Sequence, residues 1–298
     1  MNDRLSSVIE NAIGTATGKP ARLSETSSLS GGCIHSSRKL ILEDGRIFFC
    51  KFGSGEPKDI LEREFEGLNA LGRADSIRTV KPLAHQSLPE LGNQFLITEF
   101  VPPGKPKSAF FEHFGRGLAR LHRDRTAPQF GFEHDNYIGR THQSNRWTSD
   151  WCEFWGRHRL GFHLELALHN GYNSSELQRL GRKLIDQLPE RIGGADEPPS
   201  LLHGDLWSGN FLVDEGGSAV LIDPAPYYGH REAELAMCQL FGGFSRVFYD
   251  SYRETWPLQA GAQERIEVYQ LYHLLNHLNL FGTGYLGQCL DLLQRILG

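Results

Sequence analysis

Apolar residues fall at helical spacing over residues 1–18, with Leu5, Val8, Ile9, Ala12 and Ile13 on one face and Gly14 or Gly18 closing the run. The period then shortens. Arg38-Lys39-Leu40-Ile41-Leu42 and Arg46-Ile47-Phe48-Phe49-Cys50-Lys51-Phe52, joined by Glu43-Asp44-Gly45, predict two strands, with a glycine-containing loop at Leu29 to Ser37 before them. Asp59 to Leu71 returns to a helix, striped by Leu61, Leu68 and Leu71. Val80-Lys81-Pro82-Leu83-Ala84 leads to a buried strand, Gln94 to Val101, and Pro102-Pro103-Gly104 reads as a linker between lobes.

Beyond the linker the period is 3.6. Phe110, Phe114, Leu118 and Leu121 stripe a helix that runs into His122. Trp147 to Leu168 predicts a helix whose wide aromatic face reads as core, and Leu177 to Leu188 predicts another. Ala233 to Leu240, Ala262 to Phe281 and Gly284 to Leu297 read as the remaining helices.

One stretch departs from packing logic. His203-Gly204-Asp205-Leu206-Trp207-Ser208-Gly209-Asn210 places an amide five residues after an acid, and Asp223-Pro224-Ala225 supplies a second acid thirteen residues later. Between them Phe211 to Asp214 and Ala219 to Ile222 flank Glu215-Gly216-Gly217-Ser218, a hairpin that returns Asp223 to the end where Asn210 sits. Oxygen-bearing side chains meeting there suit Mg²⁺. In protein kinases an Asp takes the substrate hydroxyl while a later Asn and Asp hold the metals, and Asp205, Asn210 and Asp223 match that order and spacing.

Other parts of a nucleotide site follow. Lys51 ends an apolar strand just before a helix bearing Glu62, Glu64 and Glu66, and a strand–helix Lys–Glu pair is the kinase device for fixing a phosphate-binding ammonium. Glu64 lies on the inward side of the leucine stripe and is the expected partner, with Glu62 the alternative. The loop at Gly31, Gly32 and Cys33 offers free N–H groups to phosphates, or is simply a turn, and it carries neither a Walker pattern nor a full G-x-G-x-x-G. Backbone groups of Glu99 and Val101, just before the linker, would face an adenine edge. His122-Arg123-Asp124 repeats the kinase H-R-D triplet, but Gln129 stands where the metal-binding Asn belongs and no hairpin follows. It reads as a charged helix C-terminus.

Composition narrows the partners. A net charge of −5 and a pI near 6.2 exclude a general polyanion binder, so no nucleic acid is expected. Five cysteines in a long chain make no disulfide framework, and no apolar run is long enough to span a bilayer. A reducing cytosol and no membrane association are the expectation.

The catalytic stretch, together with Phe130-Gly131-Phe132, Asp135-Asn136-Tyr137-Ile138-Gly139, Tyr228-Gly229-His230-Arg231-Glu232, Glu234-Leu235-Ala236-Met237 and Gly31-Gly32-Cys33-Ile34, resembles the fructosamine/ketosamine-3-kinase family over nearly the whole chain. That resemblance implies an α+β, bilobal, protein-kinase-like fold. A small antiparallel-sheet N-lobe would span residues 1–101 and a large, mainly helical C-lobe residues 102–298. It implies ATP- and Mg²⁺-dependent phosphorylation of a ketosamine at the sugar 3-hydroxyl, on a glycated protein lysine or small amine. The product is unstable and releases the amine, so the activity is deglycation. Bacterial members are associated with ribulosamines or erythrulosamines over fructosamines.

Asp205 would orient the hydroxyl and accept its proton, Asn210 and Asp223 would hold the metal, and Lys51 fixed by Glu64 would grip the phosphates. Trp207 would be either a flat wall for the open-chain sugar or a packing residue. His203 would brace the loop, and Arg231 with Glu232 would form a buried or loop-bracing pair. Cys33 is either an inert turn residue or a reactive thiol whose oxidation switches activity off, making the protein a monomer or a redox-linked dimer. Rival readings are a kinase for another small hydroxylated amine, of aminoglycoside or choline type, and a nucleotide-binding pseudokinase, which the presence of Lys51, Asp205, Asn210 and Asp223 disfavours.

Overall fold

The computed structural model describes residues 3–29, 36–55, 57–172, 174–193 and 197–298. The phosphate-loop positions Gly31, Gly32 and Cys33 lie outside them. The first part comprises α1 (Asp3–Thr17), β1 (Leu23–Leu29), β2 (Ser36–Leu42), β3 (Ile47–Ser54), α2 (Ile60–Leu71), β4 (Arg78–Thr79), β5 (Pro82–Leu88) and β6 (Asn93–Glu99). Five of these strands form one antiparallel sheet in the order β1-β2-β3-β6-β5. Strand alternation sends Phe48 and Cys50 of β3 into a core with Ile9 and Ile13 of α1, which turns Lys51 to the opposite face.

The remainder comprises α3 (Phe110–Asp124), β7 (Asn136–Ile138), β8 (Thr141–Gln143), α4 (Trp151–Trp155), a π-helical stretch Gly156–Gly161, α5 (Phe162–His169), α6 (Ser175–Asp186), α7 (Leu188–Ile192), β9 (Ser200–Leu202), β10 (Phe211–Val213), β11 (Ala219–Leu221), β12 (Tyr227–Gly229), α8 (Arg231–Leu240), α9 (Arg246–Thr255), α10 (Ala262–Phe281) and α11 (Leu286–Leu297). The expected hairpin is β10–β11, with Phe211 opposite Leu221. β11 also pairs in parallel with β4, so this hairpin is stitched to the sheet-bearing part of the chain.

The helix expected from Trp147 starts only at Trp151. Thr148 exchanges both backbone hydrogen bonds with Phe130 at 2.9 Å, and Asp150 caps α4 by accepting from Glu153 N at 2.7 Å. The extended bridge and the cap together stop the helix from reaching further back. Leu188 is likewise parted from α6, in a short helix with Pro189 in its first turn. His122 is not a solvated C-terminal charge. It is fully buried, with Nδ1 2.8 Å from the Tyr252 hydroxyl of α9, a helix whose stripe the sequence reading did not register. Only Arg123 and Asp124 of that triplet are exposed, paired with each other at 2.8 Å.

Buried histidines make an acid-labile fold. Burial pushes His163 and His273 down to about 3 and His230 down to about 4, and it lowers His122 and His203 as well. An unfolded chain regains the ordinary value near 6.5 and takes up protons that the native state refuses. Stability is therefore fully present above about 6.5 and drains away as pH falls toward 3, by up to roughly 1.4 kcal/mol per pH unit for each such histidine. Glu64 and Asp205, both raised, oppose the trend in part. Calorimetric melting temperatures should fall steadily from pH 7 to pH 5; a flat profile would contradict this account. No helix among the described residues is long and apolar enough to cross a membrane.

Candidate active site

Two tight loops build the site. After β9 the chain turns at Gly204, whose φ of +83° and 2.0 Å separation between a built Cβ and Ala225 O admit no side chain. Ala225 N donates to His203 O at 2.9 Å and Ile222 N to Asn210 O at 3.1 Å, so the loops carrying Asp205 and Asp223 are tied at two points. His203 braces both, its Nε2 2.8 Å from Ile222 O while Nδ1 accepts from Asp205 N at 3.3 Å. Asp223 is the only non-glycine among the described residues with positive φ (56°), a left-handed backbone that short acids tolerate.

That backbone brings Asp223 to Lys51. Lys51 Nζ lies 2.5 Å from Asp223 Oδ1 and 2.7 Å from Glu64 Oε1. α2 presents Glu64 there because Gly67, a turn further on, lets the helix approach until a Cβ would stand 2.9 Å from Pro226. Glu62 instead sits 3.6 Å from Arg63. Burial alone would lower Lys51, but the two carboxylates outweigh it and hold the ammonium above the usual lysine range. Glu64 is raised by burial and then by Asp223, against the pull of Lys51.

Asn210 spends its Nδ2 on the Asp205 carbonyl (2.8 Å) and carboxylate (3.1 Å), which leaves its Oδ1 as the open ligand atom. Burial, then Glu234 and Asp223, push Asp205 well above the usual carboxylate range. Glu64 and Asp223 thus face one ammonium while Asp205 lines the same cavity, and hard oxygens with surplus negative charge suit a divalent cation. No group of three or more His, Cys, Asp or Glu forms a ready-made metal cage among the described residues, so such a cation would complete its shell with phosphate and water.

Lys51, Glu64, Asp205, Trp207, Asn210 and Asp223 all line one cavity of about 460 Å³. Glu99 and Val101 are not in its lining: the Glu99 N–H is committed to Lys81 O at 2.9 Å, and Val101 packs with Ile60 and Leu96. Trp207 is half-buried, its ring lying over Gly209. A larger, shallower groove of about 940 Å³ runs along the π-helical stretch and contains none of these residues.

Several supporting residues escaped the sequence reading. Glu234, 1% exposed, accepts from the backbone N–H groups of His203 and Gly204 and lies 3.7 Å from His122. Asn136 donates to Pro226 O at 2.8 Å while Gln143 donates to Asn136 at 2.7 Å and to Ala225 O at 3.0 Å, a buried amide net under the Asp223 loop. Glu234 and Asn136 lie in motifs that carried the resemblance, which was the only signal available, and Gln143 lies four residues beyond one. Arg231 and Glu232 do not pair with each other. Arg231 grips Glu197 through two bonds of 2.6 Å, and Glu232 takes Arg265 at 2.7 and 2.8 Å. Consecutive helical residues point about 100° apart and cannot meet.

The profile of the fructosamine kinase family matches residues 5–298. The chain belongs to that family. This kinase is 41% identical over 280 residues to the chloroplastic protein-ribulosamine 3-kinase of Oryza sativa subsp. japonica, covering 93% of this chain and 80% of that one. It is 38% identical over 290 residues to a probable ketoamine kinase of Synechocystis sp., covering 97% and 96%. The crystal structure of a Thermobifida fusca protein named for fructosamine-3-kinase superposes with a TM-score of 0.86 at 31% identity, over 97% of this chain and 98% of that one. The fold is the bilobal α+β fold of aminoglycoside phosphotransferases, and the enzyme is a kinase acting on a sugar hydroxyl.

Proposed function

We propose that the protein phosphorylates the 3-hydroxyl of ketosamines, namely ribulosamines, erythrulosamines or fructosamines on protein lysines or small amines, with ATP as donor and Mg²⁺ as the metal. The observation carrying this reading is the meeting of Lys51, Glu64, Asp205, Asn210 and Asp223 around one cavity. The relatives named as ketoamine and ribulosamine kinases support the substrate class.

In this reading Asp205 orients the sugar hydroxyl and accepts its proton as the new O–P bond forms and the bond joining the terminal phosphorus of ATP to ADP breaks, ADP being the leaving group. Asn210 Oδ1 and the Asp223 carboxylate would hold the metal. Lys51, fixed by Glu64, grips the phosphates, and Gly31, Gly32 and Cys33, outside the described residues, are the candidates for further phosphate contacts. Bound Mg²⁺ supplies neutralisation of the charge that phosphoryl transfer spreads over the phosphate oxygens. Backbone groups of Glu99 and Val101, which lie outside the lining of that cavity, would meet the adenine edge only where it reaches beyond it, and Trp207 walls the open-chain sugar. The enzyme works in the cytoplasm, as a monomer or as a dimer joined through Cys33.

Purified protein with ATP and Mg²⁺ is expected to turn over ribulosyl-lysine, erythrulosyl-lysine or fructosyl-lysine and to release free lysine as the product decays. Phosphorylation of an aminoglycoside or choline with no ketosamine turned over would overturn the reading.

A further inference from the structure

The cavity is divided by polarity. One end holds Lys51, Arg63, Glu64, Asp205 and Asp223; the other, formed by α8 and the C-terminal end of α10, is lined by Met237, Phe241, Asn276, His277, Phe281 and Tyr285 among others and, among the described residues, carries no formally charged carboxylate or ammonium. Within that second end one polar atom is orphaned. Asn276 is 3% exposed, yet its Oδ1 has no hydrogen-bond partner among the described residues. Asn279, one turn on, spends its amide on His163, Leu275 and Asn170. A buried amide oxygen left empty costs stability unless something outside the chain satisfies it.

Around Asn276 stands an aromatic rim. His277 is ring-packed with Phe241 at 4.4 Å, Tyr285 at 5.2 Å and Phe281 at 5.3 Å between centroids. Phe281 is 61% exposed, more than any other large apolar side chain among the described residues. His277 Nδ1 is 2.8 Å from His273 O, so that nitrogen carries the proton and the other is free to accept.

We infer that this end of the cavity binds the amine half of the substrate, Asn276 Oδ1 accepting the N–H of the ketosamine nitrogen and the rim of Phe241, His277, Phe281 and Tyr285 covering a methylene stem. The inference rests on the function proposed above and adds the recognition of the amine. A secondary ammonium is both a donor for the orphaned oxygen and a cation for aromatic faces. The methylene stem of lysine covers the exposed ring of Phe281. Sugar and amine then match the charged and the aromatic ends in one orientation, with the hydroxyl at Asp205.

The test compares kcat/KM for N-alkyl ribulosamines with that for the matching 1-O-alkyl ribulose ethers, in wild type, Asn276→Leu and Asn276→Asp. Wild type should favour the amine by roughly a hundredfold, and Asn276→Leu should erase most of that preference through KM. Asn276→Asp, nearly the same shape, should keep or strengthen it; its melting curve controls for folding. Phe281→Ser should lower the ratio of ribulosyl-lysine to ribulosyl-methylamine turnover by about tenfold. Equal discrimination in wild type and Asn276→Leu, or an unaltered lysine-to-methylamine ratio in Phe281→Ser, overturns the inference while ketosamine turnover by wild type still upholds the function. Absence of any wild-type turnover of ketosamines removes both.

Discussion

Asp205→Asn is expected to cut ketosamine turnover by roughly 10²–10⁴-fold, the usual worth of a positioned general base. The same change should leave the protein at least as stable. Asp205 stands in a site already crowded by Glu234 and Asp223, and its carboxyl is raised well above the ordinary range, by burial first. A raised carboxylate means that ionisation at neutral pH works against the fold, so an isosteric neutral amide relieves that cost. The contact from Asn210 Nδ2 to the Asp205 carbonyl, 2.8 Å, is untouched by the substitution. Lys51, Glu64 and Asp223 also keep their geometry, so ATP binding measured by calorimetry should persist. A variant that loses turnover and melts several degrees lower would show Asp205 to be a structural residue, against the role proposed here.

Glu234→Leu is expected to give the largest loss of stability, roughly 3–5 kcal/mol, the cost of stripping one partner from a buried charged network. Glu234 accepts from the His203 and Gly204 N–H groups at the turn where φ is +83°, and no solvent reaches it. Leucine leaves both donors buried and unmet. Burial alone would raise Glu234, yet His122 and His203 outweigh it and hold the carboxyl below its ordinary value. Its contribution is thus present at neutral pH and lost only as pH falls below about 4.5, the unfolded value. A drop in melting temperature on the order of 10 °C is expected. Glu234→Gln can still accept one N–H, so it should fold and show its defect in kcat, as the loop bearing Asp205 loosens. Unchanged melting in Glu234→Leu would mean that the loop is held by the His203–Ile222 and Ala225–His203 bonds alone.

The line of descent from residues to site was readable wherever the information is local. Hydrophobic period placed α1, β2, β3, α2, α3 and the terminal helices, because an amphipathic face is written into consecutive residues. The spacing of Asp205, Asn210 and Asp223 around a Gly-Gly hairpin specified that three oxygen-bearing side chains return to one end. Glu64 was legible beside Lys51 for the same reason: its place on α2 relative to the leucine stripe is a matter of helical angle.

What the sequence left open depends on contacts between residues far apart in the chain. The partners of Arg231 and Glu232 turned out to be Glu197 and Arg265, since adjacent helical positions diverge and each charge takes whatever the surrounding fold brings near. His122 looked like a helix-end charge until α9 packed over it and supplied Tyr252. Glu234 gave no sign of cradling the catalytic turn, thirty residues away, and the start at Trp151 was decided by the bridge of Thr148 to Phe130. By itself the sequence determined the elements and the identity of the charged groups at the cleft. Only the tertiary structure decided which groups are buried and what each one faces, because burial and long-range pairing are properties of the packed chain and carry no periodic signature along it.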